Sequence, residues 1–356
     1  VDPRLRSLDD GVVRLGPRTL HLDITNTCNA DCVTCWDHSP LLRDPPPASW
    51  KRQRMEVGRA LAIVDDVVTL GGLEAVIVSG MGEPTTHPGF PDLVSGLKAR
   101  GLHVTVITNG LALDQGVVLG RGVDQLLLGI HAASERTYLR FHPCLGPAHW
   151  EGLLRTLAAL REAGRASKHV QVICALNAHE LVGMVDLAHR FQAGQVNFKL
   201  AALGQGTQAV ALDGAQRRVL AAEGIPAARA AARGLGVRHN LDLLAEQLAA
   251  GEGATAPVER VGCLVGYSYA RVAADGTVLF CCDPGARVGS VADGSRFSDL
   301  WRGPRWEALR ERMRRGRYLP GCRQCGKLNE NVKLSRRFRE ALGECRWREV
   351  TGRGDP

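Results

Sequence analysis

Through its first two thirds the chain alternates short β-branched runs with amphipathic stretches. That alternation leaves few folds open, because parallel strands need a crossover of a dozen or more residues between neighbours. It predicts strands over residues 19–25, 74–79, 103–108, 125–130, 169–176 and 195–200, with helices such as 90–100, 150–163 and 181–191 between them. Six such units make either a doubly wound sheet or an incomplete barrel. In both, ligand sites gather at the carboxyl ends of the strands, so the residues just after each strand come first.

The chain has 356 residues, enough for one large domain and a smaller one. No run of 18 uncharged apolar residues occurs, and the opening VDPRLRSLDDG lacks the apolar core and cleavage site of a signal peptide. A cytoplasmic protein with no membrane partner is expected. Residues 211–250 are Ala-rich and helical in pattern and lead into the linker-like 251–257. Beyond it come a hairpin signal at Asp275-Gly276 and basic helices. The expected organisation is an N-terminal extension (1–18), an α/β core (19–205), a helical connection (206–255) and a small C-terminal α+β unit (256–356).

Eleven cysteines in a chain with no export signal are better read as metal ligands than as disulfides. Directly after the first predicted strand, Cys28, Cys32 and Cys35 form a CxxxCxxC triplet. Thiolates select zinc or iron–sulfur centres, and three of them leave a four-iron cube with one open iron, whereas structural zinc closes its fourth position.

The triplet after the first strand resembles the hallmark of the radical S-adenosylmethionine (SAM) enzymes. The resemblance covers residues 19–205 and implies a partial (β/α)6 TIM-type barrel, with a [4Fe–4S] cluster whose open iron is chelated by the cosubstrate. Reductive cleavage would then give methionine and a 5′-deoxyadenosyl radical that takes a hydrogen atom from a substrate. The second strand ends in Gly80-Met81-Gly82-Glu83-Pro84, similar to the family's GGEP motif; its backbone and Glu83 would hold the cosubstrate ammonium. Asn109, Ser134 and Asn177 stand after the third, fourth and fifth strands, where the family places polar groups toward the cosubstrate. Ser134 also reads as a helix cap. Trp36 follows the third cysteine, where the family has an aromatic residue before it, and is the candidate adenine contact.

A second set comprises Cys263, Cys281, Cys322 and Cys325, four thiolates that suit zinc on ligand type alone. With the Asp275-Gly276 hairpin between the first two, the pattern resembles the twitch domain, a shortened SPASM extension. That implies one auxiliary [4Fe–4S] cluster, in which Cys345 could replace one ligand. Cys282, beside a ligand, is a candidate hydrogen-atom donor of the kind used by radical epimerases.

Two clusters imply oxidation, epimerisation or a related tailoring step. With 18 residues before the first strand and no leader-binding segment among them, the reading favours a small sugar-like or amino-acid-derived metabolite over a ribosomal peptide. From Arg302 to Arg353, 16 Lys and Arg face 6 Glu. Such a run is read as a solvated helix face, or as a surface for an acidic flavodoxin or ferredoxin electron donor. No nucleic-acid motif accompanies it. The alternative of another class is a non-catalytic electron-transfer or zinc-binding protein.

Overall fold

The computed structural model describes residues 2–113, 116 and 122–352. Nine strands form one sheet: β1 (Thr19–Asp23), β2 (Ala75–Ser79), β3 (His103–Thr108), β4 (Gln125–Gly129), β5 (Ser167–Ile173), β6 (Gln195–Leu200), β7 (Tyr269–Val272), β8 (Thr277–Leu279) and β9 (Arg287–Ser290). Their order is β6-β5-β4-β3-β2-β1-β7-β8-β9. The first six run parallel in chain order, β7 pairs in parallel with β1, and β8 and β9 complete an antiparallel meander. Among the described residues β6 and β9 do not pair, so the sheet is a partial barrel extended by the C-terminal hairpin.

Side-chain alternation explains which face is which. Leu20 and Leu22, Val76 and Val78, Val104 and Val106, and Leu126 and Leu128 pack with the helices Val57–Thr69, Phe90–Ala99 and Pro147–Glu162 in the main core. Each such side chain contributes about 1.5–3 kcal/mol by leaving water. The register puts His21, Asp23, Lys199, Tyr269 and Arg271 on the opposite, inner face. Helices Gly214–Val219, Ile225–Leu235 and Leu241–Ala249 occupy the Ala-rich region; Ile225–Leu235 packs on the helix Leu181–Arg190 and Leu241–Ala249 on β6, in a second apolar core.

The predicted strands were found, with shifted ends. β5 starts at Ser167 and stops at Ile173 because Asn177 takes over the backbone there: its Oδ1 accepts from Cys174 N (2.8 Å) and its Nδ2 donates to Val172 O and His131 O (2.8 Å each).

The basic C-terminal run differs from a purely solvated face. Arg310 is 1% exposed, lies 4.4 Å over the Trp301 ring, and donates to Gly266 O and Trp301 O. Burial pulls its guanidinium down to about 10. Arg337 and Arg346 bond Asp2 and Asp9, fastening the helix Pro3–Asp10 to the C-terminal helices. Much of this charge is therefore structural. Among the described residues no helix is long and apolar enough to cross a membrane.

Histidines shielded from water make stability depend on pH. Burial pulls His21, His142 and His169 down to about 4 and His131 to about 3. They stay neutral in the fold where unfolded imidazoles, titrating near about 6.5, take up protons. The unfolded state then binds more protons, and stability falls as pH drops from about 6.5 toward 4. His169 is fully buried with neither ring nitrogen bonded. His169→Leu should raise the unfolding free energy by about 1–3 kcal/mol at pH 5 and flatten its slope against pH. Guanidinium unfolding at pH 5 and 7.5 checks this; an unchanged slope would rule out His169 as a source.

Candidate active site

The segment that follows β1 is held by backbone contacts on both sides. Asn26 Nδ2 donates to Trp50 O and Gln53 Oε1, Thr27 Oγ1 donates to Lys51 O, and Val33 N donates to Phe141 O. Cys28, Cys32 and Cys35 are thereby placed together as half-buried free thiols that influence one another electrostatically. Cys35 Sγ also accepts from the backbone N–H groups of Asp37 (3.5 Å) and His38 (3.3 Å). Burial pushes Cys28 up to about 12 and raises Cys32 and Cys35 as well. Thiolates here need a cation to hold them, which fits an iron–sulfur cluster.

The Gly80–Pro84 turn lies against this same segment. Gly82 N donates to Thr25 O (3.1 Å) and Glu83 N to Thr27 O (2.8 Å). A Cβ on Gly80 would sit 2.6 Å from Thr25 O, and one on Gly82 would sit 2.1 Å from Thr27 O. Only glycine permits so close a backbone approach. Pro84 opens a short helical turn, Pro84–Thr86.

Glu83 is 3% exposed, and its carboxylate accepts from Thr85 Oγ1 (2.7 Å), Thr108 Oγ1 (2.6 Å) and Asn109 N (2.7 Å). Burial raises its pKa against those bonds. Asn109 in turn donates to Asn29 Oδ1 (2.7 Å). The carboxylate thus ties the end of β3 to the glycine turn, and Asn109 ties it to the cysteine segment. Glu83→Gln puts an NH2 group against donors on at least one side. It is expected to weaken SAM binding about ten- to hundredfold with iron content intact. Equilibrium dialysis reads this directly, and unchanged affinity would speak against the motif.

Ser134 caps the helix Glu135–Phe141 and donates to Glu180 Oε1. Asn177 is fully buried with both amide hydrogens on backbone carbonyls. Both side chains are already engaged in holding loops at the ends of β4 and β5.

The second set of thiols, spread over 63 residues of sequence, shares one cavity. Cys263, Cys281, Cys322 and Cys325 line one enclosed cavity, and Cys282 joins them. Cys345 is exposed and lies outside that lining. Five thiols in a largely apolar cavity suit an iron–sulfur centre. Among the described residues no three His, Cys, Asp or Glu side chains are drawn together as around a single ion.

Trp36 lines this second cavity although it follows Cys35 in the chain, and its indole N–H donates to Ala202 O, just past β6. Gln324 also lines the cavity and donates to Leu203 O (3.2 Å). It faces as well a larger cavity of about 630 Å3 beyond the ends of β5 and β6. Trp36 thus adjoins Cys35 in the chain and the second thiol set in space.

Strand-by-strand prediction overlooked the inner-face charges. Asp23, fully buried, accepts from Arg271 Nε (2.6 Å) and faces His21 Nε2 at 3.3 Å, while Tyr269 Oη bonds His21 Nδ1 (2.8 Å). Lys327 Nζ lies 4.0 Å from the Tyr269 ring centroid. The hydrogen bond to Cys281, with Lys327, Lys199 and Arg271 nearby, pulls the Cys282 thiol well below the usual range. The signal for the strand residues was present in polar residues at every second position of LHLD and QVNFKL.

The profile of the Radical SAM superfamily matches residues 22–188, and that of the SPASM iron–sulfur cluster-binding domain matches residues 263–326. A curated relative, the tungsten-containing aldehyde ferredoxin oxidoreductase cofactor-modifying protein of Pyrococcus furiosus, is 33% identical over 26% of this chain and 24% of its own. PqqA peptide cyclase of Xanthomonas euvesicatoria pv. vesicatoria is 25% identical over 80% of this chain and 72% of its own. The chain spans 24% to 58% of the length of five curated relatives, the Pyrococcus furiosus protein included. Streptococcus suis SuiB bound to S-adenosylmethionine superposes with a TM-score of 0.64 over 91% of this chain and 73% of its own. At 15% identity that likeness is one of fold.

Proposed function

Because the chain is a radical SAM enzyme with a SPASM/twitch iron–sulfur domain, we propose that it takes a hydrogen atom from an organic substrate and completes an oxidation or a related tailoring of that substrate. Its cofactors are a [4Fe–4S] cluster, SAM and an auxiliary cluster. When bound, these supply one-electron chemistry: reductive cleavage of the cosubstrate to methionine and a 5′-deoxyadenosyl radical, and an acceptor for the electron that the substrate radical gives up. A flavodoxin or ferredoxin provides the incoming electron.

In this reading Cys28, Cys32 and Cys35 hold the first cluster, and Cys263, Cys281, Cys322 and Cys325 hold the auxiliary one. Gly80, Gly82 and Pro84 shape the cosubstrate's turn, and Glu83 and Asn109 keep that turn in register with the cysteine segment. The observation that carries the proposal is Trp36, which follows Cys35 and lines the cavity of the second thiol set. A substrate beside it would lie against the second thiol set, one residue along the chain from the first. Cys282, in that same cavity, is the candidate for returning a hydrogen atom if the outcome is epimerisation.

The substrate is a sugar-like or amino-acid-derived metabolite. A peptide substrate is the second reading, favoured by the breadth of the match to PqqA peptide cyclase, which spans 80% of this chain. Anaerobically reconstituted enzyme with SAM and dithionite tests the reading, and release of 5′-deoxyadenosine and methionine is expected. Full iron content with no cleavage would leave the non-catalytic alternative standing.

A further inference from the structure

We infer that His131, two residues past β4, donates its Nε2–H to the carboxylate of bound SAM, an assignment that rests on the cosubstrate reading above.

Leu128 and Ile130 are fully buried in the main core, so alternation turns Gly129 and His131 toward the barrel interior. His131 has a φ of +64°, in the left-handed region that side chains rarely adopt. Such a conformation persists where the surroundings over-determine it. Here Asn177 Nδ2 holds His131 O (2.8 Å), the ring packs on Phe141 with centroids 4.8 Å apart, and Nδ1 accepts from Val172 N (3.1 Å).

The bond from Val172 fixes the tautomer. An accepting Nδ1 leaves the proton of the neutral ring on Nε2, which has no partner among the described residues and belongs to a partly exposed side chain. Burial keeps the ring neutral. Gly129 lets the ring lie where it does, because a Cβ there would sit 3.0 Å from Nε2; the same point is 3.8 Å from Thr108 O. Thr108 and Asn109 bond the Glu83 carboxylate, so the N–H lies beside the network that shapes the cosubstrate turn.

A carboxylate only accepts, and so calls for donors. The side chains of Asn109, Ser134 and Asn177 are spent on Asn29 and Leu111, on Glu180, and on backbone groups. His131 supplies the donor that they do not.

Equilibrium dialysis of the reconstituted holoenzyme, with SAM and decarboxylated SAM as the two probes, tests this. His131→Asn tolerates the left-handed backbone and keeps an acceptor for Val172 N, but lacks a donor at the place of Nε2. It should weaken SAM binding about ten- to hundredfold at unchanged iron content, and leave the affinity for decarboxylated SAM within about twofold. His131→Gln returns an amide donor near that place and should restore most of the SAM affinity. Gly129→Ala crowds Nε2 without touching the Val172 bond and should cause the same selective loss, which carries the test should the Asn variant lose its iron. Equal losses for both probes, or no loss, would overturn the inference, as would a Gln variant worse than Asn, the result expected of a residue that only braces the fold. Failure of the cosubstrate reading itself appears elsewhere, as wild-type holoenzyme that binds no SAM.

Discussion

Replacing Cys28, Cys32 and Cys35 together with alanine should abolish 5′-deoxyadenosine formation and leave about half the iron. Two four-iron cubes amount to about eight irons per chain, and the second set of thiols shares no ligand with the first. Cleavage requires an iron that the protein leaves open, and in the proposed assignment the three-thiolate set is the one that provides it. The loss is therefore complete rather than partial, beyond what any single binding contact could cause. The segment itself should keep its course, because Asn26, Thr27 and Val33 anchor it through bonds that do not involve the thiols. A triple variant that still cleaves SAM would refute the assignment.

Replacing Cys322 and Cys325 should have the complementary effect: product formation falls steeply while uncoupled SAM cleavage persists. In the proposed assignment four thiolates complete a cube without an external ligand, so this centre should neither bind nor cleave the cosubstrate. Losing a cluster also loses a staple of the small C-terminal unit. Here the loop has other anchors, since Arg323 O accepts from Thr255 N (2.7 Å) and Ala256 N (3.0 Å), and Gln324 reaches Leu203 O. The fold is expected to survive well enough to separate the two activities. Zinc in this site after anaerobic reconstitution, or full turnover without it, would make the domain structural and remove the case for an oxidation.

The parallel sheet was readable because short β-branched runs alternate with amphipathic helical stretches, which only crossover connections between parallel strands explain. The Cys28, Cys32 and Cys35 spacing is local and stands out in the sequence, whereas Cys263 and Cys281 lie far along the chain from the Cys322 and Cys325 pair. What stayed hidden depends on contacts between distant segments. Asn177 reads as a site residue from its place after a strand, yet its amide is taken up by backbone, a fact that depends on where His131 and Val172 lie. Trp36 reads as the cosubstrate's adenine contact because it follows Cys35, and only the fold shows that it lines the cavity of the second set of thiols. Arg310 lies in a run of charges that looks solvated, and three-dimensional packing against Trp301 and Trp306 buries it. The pairing of β7 with β1 was equally invisible, since about 250 residues separate strands that lie side by side.

The division of labour between the two centres is tested most directly by electron paramagnetic resonance of the dithionite-reduced enzyme, with and without SAM. Two [4Fe–4S]+ signals are expected, and adding the cosubstrate should shift one and leave the other unchanged. The signal that shifts should be the one missing from the Cys28, Cys32 and Cys35 variant. A single signal, or two signals that both ignore SAM, would contradict the account.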